Sequence, residues 1–229
     1  MSSVAIITAR GGSKRIPKKN IKDFCGKPII AYSIEATLKS KIFDEVMVST
    51  DDSEIAEIAR RYGANVPFMR SAKNSDDYSG TCDVLLEVLS EYKKIGKKFD
   101  TVCCIYPTAP FVSAEKLIDA KNKYVRGKAN ALLSVVRFSY PPQRCLVEHD
   151  GRLEYKWPEY EKKRSQDLEP FYHDAGQFYF IKTDVLVLQQ TLVPAETVLF
   201  EVNELEVQDI DNLTDWKLAE LKYKLMRGI

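Results

Sequence analysis

Glycine and proline are sparse in this chain, 10 of each among 229 residues, and no repeat or low-complexity tract is present. That excludes collagen-like and Pro/Gly-rich disordered classes. No apolar run approaches the ~18 residues of a membrane span, and Met1–Ala9 meets Arg10, Lys14 and Arg15 too soon to read as a signal peptide. A charge excess of one sign is missing too. Thirty-four Lys+Arg oppose 33 Asp+Glu, so nothing global recommends a nucleic acid or an anionic membrane, and any anion site must be local. The five cysteines (Cys25, Cys82, Cys103, Cys104, Cys145) are odd in number and lack CxxC spacing, which reads as buried reduced thiols rather than a disulfide or zinc framework. The chain is therefore expected to be cytoplasmic. What remains is an ordinary globular composition, 45% hydrophobic and 29% charged, ample for one domain over residues 1–229.

The chain alternates strand and helix signals. Val4–Ile7 is a β-branched apolar run, followed by a Gly- and Lys-rich loop and by Ile30, Ile34 and Leu38 at helical spacing. Val46–Val48 leads into Asp51-Asp52-Ser53-Glu54, an acidic helix start before Ile55, Ile58 and Ala59. Val66–Phe68 reads as a short strand, Val84–Tyr92 as a helix, Val102–Tyr106 as a buried strand, Leu117–Tyr124 as a helix opened near Ser113, and Ala131–Val136 as another strand. The sheet resumes at Gln177–Ile181 and near Thr197–Phe200, and Leu213–Met226 closes as a helix. This predicts an α/β fold with a mostly parallel twisted sheet flanked by helices, and ligands at the carboxyl ends of its strands. Residues 137–172 break the pattern. They are polar and rich in proline and charge, with Leu153 and Tyr155 as the only strand hint, and read as a projecting β-hairpin arm packing on another subunit or as an active-site cover.

The loop after the first strand, Ala9-Arg10-Gly11-Gly12-Ser13-Lys14-Arg15-Ile16-Pro17-Lys18-Lys19-Asn20, has what a phosphate needs. Paired glycines admit backbone N–H groups, Ser13 adds a hydroxyl, and Arg10, Arg15 and Lys19 supply charge-assisted donors. It carries neither the Walker nor the dinucleotide-binding glycine pattern, and a solvated basic turn is the alternative. A second polar loop, Arg70–Thr81, precedes a helix that Thr81 would cap. A third, Tyr106-Pro107-Thr108-Ala109-Pro110-Phe111, ends a strand between prolines. Near the C-terminus, Asp209 and Asp211 follow the alternating Leu205-Glu206-Val207. In a strand, residues i and i+2 share a face, so the two carboxylates together would suit octahedral Mg²⁺ with phosphate oxygens and waters. The alternative is that Asp211 or Asn212 merely caps the last helix.

The first loop resembles the N-terminal signature of the acylneuraminate cytidylyltransferase family, the CMP-sialic acid synthetases, at Ala9, Arg10, Ser13, Lys14, Pro17, Lys19 and Asn20. Gly26–Tyr32 and Val48–Asp52 are similar to that family too, and the likeness runs at intervals to the last helix. The resemblance implies a nucleotidyltransferase fold, Rossmann-like or glycosyltransferase-A-like, and a homodimer joined through the 137–172 arm. It implies CTP as co-substrate, with Arg10, Ser13 and Lys19 on the phosphates, Gly11, Gly12 and Arg15 in the same loop, and Thr8, Ala9 and Asn20 near the nucleotide. It places Arg70, Asp77, Ser79 and Thr81 around cytosine and ribose, and Mg²⁺ on Asp209 and Asp211. Where sialic acid synthetases usually carry Gln and Leu-Arg in the third loop, this chain has Tyr106 and Phe111, which together with Phe171–Tyr179 looks more like the pseudaminic acid cytidylyltransferase branch. Tyr106, Pro107, Thr108, His173, Asp174 and Gln177 then become the expected contacts of a nine-carbon 3-deoxy-2-keto sugar acid. For His173 and Asp174 a structural turn is the alternative.

The implied reaction is attack of the sugar's anomeric hydroxyl on the α-phosphate of CTP, with Arg10, Lys19, Asp209 and Asp211 carrying catalysis. A legionaminate or N-acetylneuraminate synthetase, a nucleotide-sugar-dependent glycosyltransferase and a non-catalytic nucleotide-binding module stand as alternatives.

Overall fold

The computed structural model describes residues 2–76 and 78–228. Their elements run β1 (Ser3–Thr8), the two-residue strands β2 (Asp23–Phe24) and β3 (Lys27–Pro28), α1 (Ile29–Ser40), β4 (Glu45–Ser49), α2 (Ser53–Arg61), α3 (Thr81–Lys94), β5 (Thr101–Ile105), α4 (Ala114–Arg126) and β6 (Ala131–Arg137). The hairpin strands β7 (Leu146–His149) and β8 (Arg152–Tyr155) follow, then β9 (Tyr172–Lys182), α5 (Thr183–Gln189), β10 (Thr197–Glu201) and α6 (Leu213–Arg227).

Six strands form one sheet in the order β10-β6-β9-β5-β1-β4. β1 pairs in parallel with β4 and β5, and β10 with β6, whereas β9 runs antiparallel between β5 and β6. The expected mostly parallel sheet is present, with one reversed strand. β1 is apolar from Val4 to Ile7 because both its faces are covered. Val4 and Ile6 pack with Leu85 and Tyr92 on one side, Ala5 and Ile7 with Ile30 and Ile34 on the other. From β1 the chain steps outward to β4, then crosses back to β5 on the far side. The carboxyl end of β1 is thus a point where strand order reverses, the place where open α/β sheets leave a crevice.

Two expectations fail locally. Val66–Phe68 is not a strand, since this stretch makes only an isolated bridge between Asn65 and Met47 and Pro67 has no N–H for a ladder. Leu205–Val207 does not alternate in a strand either. Glu204–Glu206 is a 3₁₀ turn opened by Asn203, so Asp209 and Asp211 lie in an extended segment outside the sheet.

Residues 137–172 contain the β7–β8 hairpin, with Leu146 opposite Tyr155, between short 3₁₀ turns. A third apolar cluster ties the chain ends together. Ile16 of the first loop packs with Phe24, Phe111, Ile210 and Trp216, all at most 5% exposed.

Candidate active site

A cleft of about 570 Å³ opens at the carboxyl ends of β1 and β5. Thr8, Arg10, Ser13, Lys14, Arg15, Lys19 and Asn20 line one side, Arg70, Ser79, Thr81 and Val84 another, and Tyr106, Pro107, Thr108 and Asp211 complete it. Five cationic side chains thus share a cavity with a single carboxylate. That is the electrostatic signature of a polyphosphate site, because clustered cations repel unless an anion joins them.

Each wall has a local reason. Asn20 is buried and donates from Nδ2 to the Arg10 carbonyl at 2.8 Å, pinning the first loop shut on itself. Arg10 reaches the second loop, donating from Nη1 to the Asp76 carbonyl at 2.8 Å. Arg70, 8% exposed, donates to the Ser49 hydroxyl at 3.0 Å and the Ser49 carbonyl at 2.6 Å, so the end of β4 orients it. Burial pulls its pKa below the ordinary arginine value, against the opposing pull of Asp51 and Glu87. Lys19 donates from Nζ to the Ile210 carbonyl at 2.7 Å. Its pKa is lowered, chiefly by burial, while Asp211 and Asp209 act to raise it.

Ile210 is the hinge pin of the acidic segment. Its side chain is 1% exposed in the third cluster, worth about 2 kcal/mol of burial, and turns the carboxylates on either side away from the core. Asp211 lies in the cleft, its Oδ1 accepting from Arg15 at 2.7 Å. Capping falls to Asn212, which accepts from the N–H groups of Thr214 and Asp215, while Asp215 returns a bond to the Asn212 N–H. That leaves the Asp211 side chain for the site. Asp209 is outside the cleft lining but close enough to Lys19 to act on its charge.

Other expected residues are placed elsewhere. Gly11 donates its N–H to Asp51 Oδ1 at 2.9 Å, and Ser13 donates its N–H to the Gly11 carbonyl, so these amides are already engaged by the protein. Gly11, Gly12 and the fully buried Ala9 do not line the cleft. A Cβ on Gly11 would come within 2.7 Å of Asp52 Oδ2, which explains the glycine by close packing instead. Thr81 does not cap α3. Gly80 holds that place, and Thr81 Oγ1 meets the Tyr106 hydroxyl at 3.2 Å. His173 packs at a tilt against Phe138, and Gln177 is buried, donating to the Glu206 carbonyl at 2.5 Å; neither lines the cleft, and neither does Asp174. Asp77 lies outside the described residues. Lys14 and Val84 join the lining without having been singled out for it. Burial raises both thiols of β5, Cys104 to about 12, so neither serves as a nucleophile.

For Mg²⁺, the donor set fits. One or two carboxylates with phosphate oxygens and waters is the usual arrangement where the ion arrives with a nucleotide, and Asp211, with Asp209 near Lys19, would supply the carboxylates.

Comparison with known proteins accords with this geometry. The chain is 41% identical over 226 residues to a pseudaminic acid cytidylyltransferase of Campylobacter jejuni, covering 98% of this chain and 97% of that one. It is 33% identical to a CMP-N,N'-diacetyllegionaminic acid synthase of Legionella pneumophila, covering 96% and 95%. Among solved structures, a CMP:2-keto-3-deoxy-manno-octonic acid synthetase complexed with CTP superposes with a TM-score of 0.71 at 18% identity over the full length of both chains, which bears on the fold. Residues 4–209 match the family model described as cytidylyltransferase, and the chain belongs to that family of nucleotidyltransferases.

Proposed function

We propose that the whole chain acts as one nucleotidyltransferase domain that transfers CMP from CTP to the anomeric hydroxyl of a nine-carbon 3-deoxy-2-keto sugar acid, pseudaminic acid foremost, and releases pyrophosphate. The observation that carries this reading is the cationic cleft at the β1 switch point in a chain alike along its length to a pseudaminic acid cytidylyltransferase.

The sugar hydroxyl loses its proton as its oxygen bonds the α-phosphorus, and the bond from that phosphorus to the pyrophosphate oxygen breaks. This chemistry is mostly positioning and charge. Arg10 and Lys19, with Ser13, Lys14 and Arg15 beside them, hold the phosphates and neutralise the departing pyrophosphate. Arg70, Ser79 and Thr81 form the nucleoside end, and Tyr106, Pro107 and Thr108 the sugar end. Asp211 and Asp209 would hold Mg²⁺, which when bound polarises phosphate oxygens and lowers the charge barrier to attack. Arg15 sits on Asp211 through an exposed pair, the two side chains 68% and 41% accessible, a contact weak enough to exchange when a nucleotide and its cation arrive.

The 137–172 arm is proposed to join two copies. Leu153 at 71% and Tyr140 at 88% exposure give it apolar surface to bury, and light scattering of the purified chain would show a dimer; a strict monomer would leave the active-site cover. The five free cysteines suit a reducing cytoplasm.

The deciding assay is pyrophosphate release from CTP and Mg²⁺ with pseudaminate, legionaminate and N-acetylneuraminate offered separately. Release with pseudaminate alone is expected. Release with another sugar would overturn the reading of Tyr106 and Phe111, and none with any sugar would favour a binding module or a glycosyltransferase.

A further inference from the structure

The loop after β5, Tyr106 to Phe111, supplies Tyr106, Pro107 and Thr108 to the cleft, while Pro107 and Pro110 carry no N–H with which to tie it down. It is held at both ends instead. At one end the Tyr106 N–H donates to the Gln177 carbonyl at 2.9 Å, and the Gln177 side chain donates from Nε2 to the Glu206 carbonyl at 2.5 Å. At the other, Lys116 Nζ donates to the Phe111 carbonyl at 2.9 Å and lies 2.8 Å from Glu206 Oε1. Both routes therefore meet at Glu206. Beyond it, Lys222 of α6 donates to the Val207 carbonyl at 2.7 Å, and the same segment runs on through the buried Ile210 to Asp211 in the cleft.

Lys116 is a poor choice for folding alone. It stands in the first turn of α4, where the helix dipole disfavours a cation, and its side chain and that of Glu206 are only 17% and 23% exposed. Burial lowers its pKa, while Glu206 acts to hold its charge. For stability, an apolar pair of similar volume commonly serves such a place as well or better. What an apolar pair could not do is grip, with one nitrogen, both the Phe111 carbonyl and a carboxylate five residues before Asp211.

We propose that Lys116 and Glu206 are positioning residues which, with Gln177, clamp the sugar-end loop at both ends to the segment that carries Asp211, and so fix where the sugar acid sits relative to that carboxylate. This rests on the function proposed above. No clamp residue belongs to the phosphate loop or to Arg70–Thr81, so the clamp should govern productive placement of the sugar and leave the hold on CTP alone.

Removing Lys116 alone would strand the Glu206 carboxylate, so the test variant is Lys116→Met/Glu206→Leu, which deletes both charges, keeps the volume and should melt near the temperature of the unaltered protein. Pyrophosphate release at saturating CTP should show kcat/KM for the sugar acid lower by about 10–100-fold, because a small misplacement of a reacting group is that costly. Calorimetric affinity for CTP in EDTA should change by less than about threefold, as for an independent site. Hydrogen exchange should quicken together in residues 106–112 and 204–211. Gln177→Met cuts the other route and must show the same split between sugar and CTP, so the proposal is judged even where the double variant fails to fold. An unchanged sugar kcat/KM in either variant overturns the clamp, and so does a CTP affinity that falls as far as the sugar kcat/KM, the mark of general damage. If the unaltered protein turns over no sugar, the proposed function falls instead, and exchange judges the clamp by itself: either segment exchanging at its unaltered rate refutes it.

Discussion

Asp211→Ala separates catalysis from folding because the structure gives its side chain so little structural work. Its carboxylate pairs with Arg15 where both groups are largely exposed, a contact worth about 0–1 kcal/mol. The cap of α6 rests on Asn212 and Asp215, and the segment is anchored by Ile210, all untouched by the change. For a chain of this size, up to ~1 kcal/mol is a fall in Tm of no more than about 2–4 °C. The catalytic loss should be far larger. Removing one group that stabilises developing charge typically costs about 2.7–4 kcal/mol, or kcat lower by about 10²–10³-fold. The sign of the effect on CTP affinity should depend on the metal. Without Mg²⁺ a carboxylate in the cleft repels the triphosphate, so in chelator the variant should bind CTP as tightly as the unaltered protein or more tightly. Pyrophosphate release with Mg²⁺, calorimetry with EDTA and a circular dichroism melt together check all three. Undiminished turnover would reject the metal role of Asp211, and a collapse of Tm would show that the carboxylate is structural after all.

Arg10→Ala should raise KM for CTP by about 10–100-fold, since it removes one charge-assisted donor and the tether to the Asp76 carbonyl; unchanged kinetics with CTP would refute the loop assignment. Lys19 must be protonated to hold phosphate, and burial lowers its pKa, so activity should decline with rising pH earlier than an ordinary lysine would allow. In Lys19→Arg that alkaline limb should move up, and in Asp211→Ala, which removes a group that raises the lysine pKa, it should move down, both read from kcat/KM against pH. Gly176→Ala should cost about 1–2 kcal/mol in chemical denaturation because of its positive φ, and a neutral result would show that the bulge in β9, where its register against β6 shifts, relaxes freely.

The elements that set the cleft were legible because they follow simple periods. The buried run Val4–Ile7, the helical spacing of Ile30, Ile34 and Leu38, and the caps Asp52 and Ser113 stand where the pattern puts them. What escaped depends on partners far away in sequence. That β9 would enter antiparallel between β5 and β6 is not written in its own residues, and its bulge, which removes Asp174 from the cleft and sets it on Tyr179, has only Gly176 as a local sign. The cations of the first loop line the cleft but its glycines do not, and the Gly11 N–H is claimed by Asp51, 40 residues on. Asp209 and Asp211 were placed side by side by strand logic. The structure puts only Asp211 in the cleft lining, on a segment anchored by Ile210, whose burial partners include Ile16 near the other end of the chain.

That last attachment orders events during synthesis. The cationic loop is made first, and Asp211 and the Trp216 that packs with Ile210 come nearly 200 residues later. A nascent chain can therefore build most of its sheet with the cationic loop in place and still lack its cleft carboxylate. On the proposed reading of Asp211, a chain that has made the cationic loop but not yet α6 would hold CTP without turning it over.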